Sequence, residues 1–139
     1  MGQTQSPTNE GYAEIAKILS SVTTAMAADG SGVASVCCLK TSCSAGEDQT
    51  SASVAKCTES GLTLVDADSV KTSKTTVDDD TVELDHVFTA GEAATVKGFG
   101  VWNDDDDVLF ALCCFASDVA MEASDTLTVE MKMQFKKGS

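Results

Sequence analysis

Aspartates, cysteines and a single histidine are the residues of this chain most able to do chemistry. Asp66, Asp68, Asp78, Asp79, Asp80, Asp104, Asp105, Asp106, Asp107 and Asp125 all fall at predicted strand ends. If two such turns shared one end of a β-sandwich, their oxygens could surround Ca²⁺. The calcium candidates are then the two runs, Asp78, Asp79 and Asp80, and Asp104, Asp105, Asp106 and Asp107. EF-hand loop spacing is absent. The competing reading is a solvated acidic turn in which Asn103 and the aspartates bond their own backbone. Apart from this possible Ca²⁺, no cofactor is expected.

The cysteines are Cys37, Cys38, Cys43, Cys57, Cys113 and Cys114. An even count in a small chain suggests disulfides, and all six are candidates, with buried thiols as the alternative. There is no C-x-x-C, so zinc would have to draw on scattered ligands. Cys43 and Cys57 bracket most of a Ser-, Thr- and Gly-rich stretch, and a bridge between them would tie that loop at its base. Adjacent residues of a strand face opposite ways. One sulfur of Cys37–Cys38, or of Cys113–Cys114, can therefore bond within the subunit while the other reaches a neighbour.

His86 sits in an alternating strand, where a lone His is better read as a structural residue than as a base. No G-x-S-x-G, P-loop or G-x-G-x-x-G is present. "GFG" at 98–100 is too short to count as a nucleotide motif, and Gly in a strand marks a bulge or close packing. No catalytic residue is assigned, and the chain reads as non-enzymatic.

The elements that must position these groups are mostly strands. The chain has 139 residues, 42% of them hydrophobic, which suits one folded domain. Residues 1–8 read as a flexible tail and 9–139 as the domain. One α-helix is predicted over about 9–27, where Ile15, Ile18, Leu19, Val22 and Met26 form an apolar stripe. Strands are predicted at 33–39, 69–77, 81–89, 94–102, 108–115 and 125–135. The last is the firmest: Leu127, Val129, Met131, Met133 and Phe135 alternate with Thr126, Thr128, Glu130, Lys132 and Gln134. The runs 69–77 and 81–89 make a hairpin. Without a β-α-β alternation, the expected fold is mainly β, an antiparallel β-sandwich or jelly-roll-like sheet with one N-terminal helix.

The net charge is −13, and all nine basic residues are lysines. Such a surface repels phosphate backbones, which argues against nucleic acid as a partner. No stretch approaches the roughly 20 apolar residues of a membrane helix, so no membrane partner is expected. The opening residues have neither the basic nor the apolar region of a secretory signal. Gly2 and Ser6 fit a loose lipidation pattern, against which a plain tail is the simpler reading.

"VLFALCCF" (108–115) is apolar on both faces, with Val108, Phe110, Leu112 and Cys114 on one and Leu109, Ala111, Cys113 and Phe115 on the other. Such a strand is central in a sandwich or buried against a partner. Val108, Leu109, Phe110, Leu112, Phe115 and Trp102 are the interface candidates.

"VELDHVFTAGEAATVKGFGVWN", a turn, and "VLFALCCFASDVAMEASDTLTVEMKMQF" resemble a family of small structural proteins of tailed bacteriophages and related mobile elements. "NEGYAEIAKIL" resembles the helix that opens many of them. The likeness covers roughly the first 20 and the last 60 residues. The stretch 28–75, the Cys-Cys pairs and the aspartate run depart from it. The resemblance implies a virion part, such as a tail, fibre or capsid-decoration subunit, and brings no catalytic residues with it. The expectation is a self-assembling homo-oligomer that also meets other structural subunits, located in a virion or outside the cell and stabilised by disulfides. Two rivals are an extracellular filament or adhesin subunit and a calcium- or carbohydrate-binding module.

Overall fold

Alternating apolar and polar residues, rich in Val and Thr, favour extended chain with one dry face, and this pattern fills the second half of the molecule. The structure is a computed structural model that describes residues 3–8, 32–40, 46, 48–73, 81–103 and 105–134. The strands, in chain order, are β1 (Gln3–Pro7), β2 (Val33–Leu39), β3 (Val65–Asp66), β4 (Ser69–Ser73), β5 (Thr81–Thr89), β6 (Ala94–Asn103), β7 (Leu109–Met121) and β8 (Thr126–Gln134). The helix expected over 9–27 lies outside the described residues, as does Phe135.

The strands form two antiparallel sheets, and the fold is mainly β. One sheet is five-stranded in the order β1-β7-β6-β2-β3, and the other three-stranded in the order β4-β5-β8. The expected hairpin is present: Ser69 lies opposite Asp85 and Ser73 opposite Thr81. One apolar cluster takes side chains from both sheets. Val36, Cys38, Val96, Phe99, Val101, Phe110, Ala111 and Cys113 come from the larger sheet, and Leu84, Phe88, Val129, Met131 and Met133 from the smaller.

Three features depart from the sequence reading. The expected tail is instead a strand: Gln3–Pro7 pairs with Ala111–Phe115 of β7. Thr8, fully buried, anchors it, its hydroxyl donating to the carbonyl of Leu109 and its N–H to that of Phe110 at 3.1 Å. Second, β7 runs on to Met121, but its ladder with β6 is broken. Gly98 pairs with Cys114 and Val96 with Val119, so Lys97 alone faces the residues 115–118. Third, a register shift places Val101 opposite Ala111 but Trp102 opposite Leu109, leaving Phe110 as the extra residue. A bulge of this kind puts two successive side chains on one side. Phe110 therefore joins Ala111 and Cys113 in the shared core, while Leu109 joins Leu112 and Cys114 on the other face. Strict alternation had paired Phe110 with Leu112.

Candidate functional site

The second face of the larger sheet carries Cys37, Leu39, Trp102, Leu109, Leu112 and Cys114. Its centre is built by the sequence Gly98-Phe99-Gly100-Val101-Trp102. Phe99 and Val101 enter the shared core, while Gly98, Gly100 and Trp102 face the other way. Gly100 lies between Cys37 of β2 and Leu112 of β7. A Cβ at Gly100 would come within 2.7 Å of the Trp102 indole, so the missing side chain is what lets the ring lie along its own strand. The "GFG" run is therefore a packing device.

This face is covered by the chain itself. Val54 and Leu64 pack on it. The Trp102 indole N–H donates to Ser51 Oγ at 2.9 Å, and Lys56 Nζ stands 4.9 Å from the ring centroid. A cation over an indole face is attracted by the ring quadrupole. The covering segment is tied down at both ends. Lys40 N–H bonds Ala55 O at 3.0 Å, Cys57 N–H bonds Cys38 O at 2.8 Å, and Gly91 N–H bonds Ser60 O at 2.8 Å. Gly61, at φ +81°, passes so close to the Thr89 carbonyl that no side chain fits there.

Leu109, Phe110, Leu112 and Trp102 are buried within one chain, and Val108 and Phe115 are half-buried. Of the residues that cover Trp102, Ser51 lies in the stretch read as a polar loop, and Val54, Lys56 and Leu64 follow it with no element assigned. Their one apolar signal is Val54 and Leu64, while Leu62 between them faces the shared core.

The adjacent cysteines do point to opposite faces. Cys38 and Cys113 enter the shared core, while Cys37 and Cys114 lie on the Trp102 face. Four of the cysteines take the buried-thiol alternative. Cys37, Cys38, Cys57 and Cys113 carry free thiols, and Cys57 is therefore not bridged to Cys43. Cys43 lies outside the described residues, and Cys114 is disulfide-bonded. Burial pushes the Cys37 thiol up to about 12 and that of Cys57 up to about 11, and it raises Cys38 and Cys113 as well. These thiols are nearly or wholly excluded from solvent, which makes them packing groups rather than nucleophiles. None of the four can reach a neighbouring copy.

The aspartate turn is organised by Asn103, which is nearly buried. Its Oδ1 accepts the N–H groups of Asp107 at 3.1 Å and Val108 at 2.8 Å, and its Nδ2 donates to Asp107 Oδ1 at 2.7 Å. Its carbonyl accepts Asp106 N–H at 3.0 Å, with Asp106 at φ 61°. Asp105, Asp106 and Asp107 are exposed, while Asp104, Asp78, Asp79 and Asp80 lie outside the described residues. Among the described residues no group of three or more His, Cys, Asp or Glu side chains is placed to hold a metal ion.

His86 packs beside Phe88 on β5. Its ring meets Phe88 edge-on, with centroids 4.5 Å apart. Nδ1 lies 3.0 Å from Asp68 Oδ1, though off the line of a well-formed hydrogen bond. The Val87 N–H bonds the other Asp68 oxygen at 2.9 Å and, with His86 nearby, holds this carboxyl below the usual range. No helix among the described residues is long and apolar enough to cross a membrane.

No family model matches the chain, and neither a curated protein nor a solved structure matches it.

Proposed function

We propose that this chain is a non-enzymatic structural subunit of a self-assembling particle, a bacteriophage virion component of the tail, fibre or capsid-decoration type. Its fold in this reading is an antiparallel β-sandwich or jelly-roll-like domain. One observation carries the proposal. The stretches that resemble phage structural proteins coincide with β5, β6, β7 and β8, four consecutive strands that supply the framework of both sheets. The resemblance therefore follows a packed unit rather than scattered turns. The acidic surface adds a physical reason for staying soluble before assembly.

The disulfide at Cys114 suits an oxidising location. It favours equally a second reading, an extracellular filament or adhesin subunit. Electron microscopy of the purified chain, with its mass in solution by light scattering, tests both. Discrete rings, trimers or shells support the virion reading. Open helical filaments support the second, because they need unlike surfaces meeting head to tail. A monomer at every concentration removes both.

A further inference from the structure

Among the described residues the two sheets end in four edge strands, and three are short. β1 is five residues long and ends in Pro7, β3 has two residues, and β4 has five. Short strands and Pro are the usual protection against strand-to-strand association. β8 is different. It has nine residues, no Pro and no Gly, and its ladder with β5 runs unbroken from Thr126 to Gln134. Among the described residues no strand pairs with its other side. In an antiparallel ladder half of an edge strand's backbone groups point away from its neighbour, so β8 presents a straight row of donors and acceptors.

The occupant that this row fits is a second copy of the same strand. Two β8 strands can pair antiparallel in several registers, and charge and burial select among them. A shift by one residue would set the dry side chains Val129, Met131 and Met133 against the exposed Glu130 and Lys132. Among the registers that keep the faces matched, centring on Glu130 opposes that carboxylate to itself, and centring on Lys132 opposes two ammonium groups. Centring on Met131 sets Glu130 of each copy opposite Lys132 of the other, twice. It also sets Val129 opposite Met133 and Thr128 opposite Gln134. Glu130 and Lys132 are already 3.0 Å apart along their own strand, with more than half of each side chain in solvent. Lys132 also meets Glu83 of β5 at 3.2 Å, so pairing across the edge exchanges one solvent-exposed contact for another.

We infer that two copies of this chain join through their β8 edges about a two-fold axis at Met131, making one six-stranded sheet with reciprocal Glu130–Lys132 pairs. The contact is isologous, the same patch on each copy, as closed dimers require. The inference deepens the assembly reading, on which it rests, by naming its partner and register.

Sedimentation of the full chain over a dilution series tests it, with Lys132→Glu, Glu130→Lys and the double variant beside wild type. Wild type should dimerise. Each single change sets like charges opposite one another at two points and should weaken the dimer about tenfold, the double exchange restoring it. The deficit of the single variants should shrink in high salt. Circular dichroism checks that each variant is folded, which the exposure of both side chains favours. A wild-type oligomer unchanged by either single variant overturns the edge pairing and leaves assembly standing. A wild-type monomer overturns both.

Discussion

The two sheets of this molecule solve the same problem in opposite ways. The larger sheet is dry on both faces at its centre, in β2, the end of β6 and the start of β7. One face meets the smaller sheet, and the other lies under the chain's own segment around Ser51, Val54, Lys56 and Leu64. The smaller sheet is dry on one face only. Its outer face carries Lys71, Glu83, Val87, Glu130 and Lys132, with ion pairs Lys71–Glu83 at 3.4 Å and Lys132–Glu83 at 3.2 Å. The two-sided sheet contains the register shifts of β2, β6 and β7, the close Gly100–Trp102 packing and all the described cysteines that lie in strands. The one-sided sheet has unbroken ladders. Covering a sheet twice forces local distortion so that large side chains fit. Leaving one face wet keeps the strands regular, and regular strands leave a straight edge.

The comparison breaks most readily at Trp102. Trp102→Ala removes a fully buried indole and should cost about 3 to 5 kcal/mol by urea denaturation, a large share of a domain's stability. Gly100→Ala sharpens the point. It should destabilise the wild type, where the new methyl meets the ring, and do much less harm in the Trp102→Ala background. Equal effects of Gly100→Ala in both backgrounds would separate the glycine from the ring.

The buried thiols give the larger sheet its own pH dependence. Their folded pKa values are raised from 9.0, to about 12 for Cys37 and about 11 for Cys57. Above pH 9 the unfolded chain loses protons that the folded chain keeps, so stability is complete below that point and falls as pH rises toward the folded values. The loss should be about 1.4 kcal/mol per thiol for each pH unit in that window. Cys37→Ala should flatten the slope of urea midpoint against pH. A slope equal to that of wild type would take this thiol out of the account.

The acidic turn belongs to the larger sheet, and Asn103 should matter more than the aspartates beside it. Asn103→Ala leaves the N–H groups of Asp107 and Val108 without their acceptor and should cost about 1 to 2 kcal/mol, whereas Asp105→Ala should stay within about 0.5 kcal/mol. Thermal melts with calcium and with chelator should coincide if the turn is held by its own hydrogen bonds. A midpoint raised by calcium would reopen the metal reading for the aspartates.

The same contrast explains what was legible in the sequence. β2 and β5 fall where the residue pattern predicts them, and β8 departs by one residue at its start. In β5 and β8 one face is wet, and alternation reports it directly. In β7 alternation misplaces Phe110, because a sheet covered on both sides has no polar face to mark the bulge. The polar composition of 48–64 conceals a cover held largely by backbone hydrogen bonds, which any sequence can make. β1, as "QTQSP", has no apolar pattern at all, and what is visible of it is its backbone register with β7. The Cys-Cys pairs could be assigned to opposite faces but not to bonds, because pairing depends on distances that spacing does not contain.

The smallest expected effects lie on the wet sheet. Val87 is 48% exposed, and Val87→Ala should stay within about 0.5 kcal/mol. Asp68 is more informative, because it holds the strand at the Val87 N–H. Its folded carboxyl titrates below the unfolded value of 3.8, so its contribution is present above that pH and disappears as pH falls through the folded value. Asp68→Asn should therefore lower the urea midpoint slightly at neutral pH and leave it nearer to wild type in acid. A variant equally weakened at both would mean that Asp68 acts through shape alone. The effect is small because the carboxylate is in water, which screens what it offers. That screening separates the two sheets once more: on the larger sheet one buried side chain decides a large part of the stability, and on the wet face of the smaller sheet each polar contact contributes little.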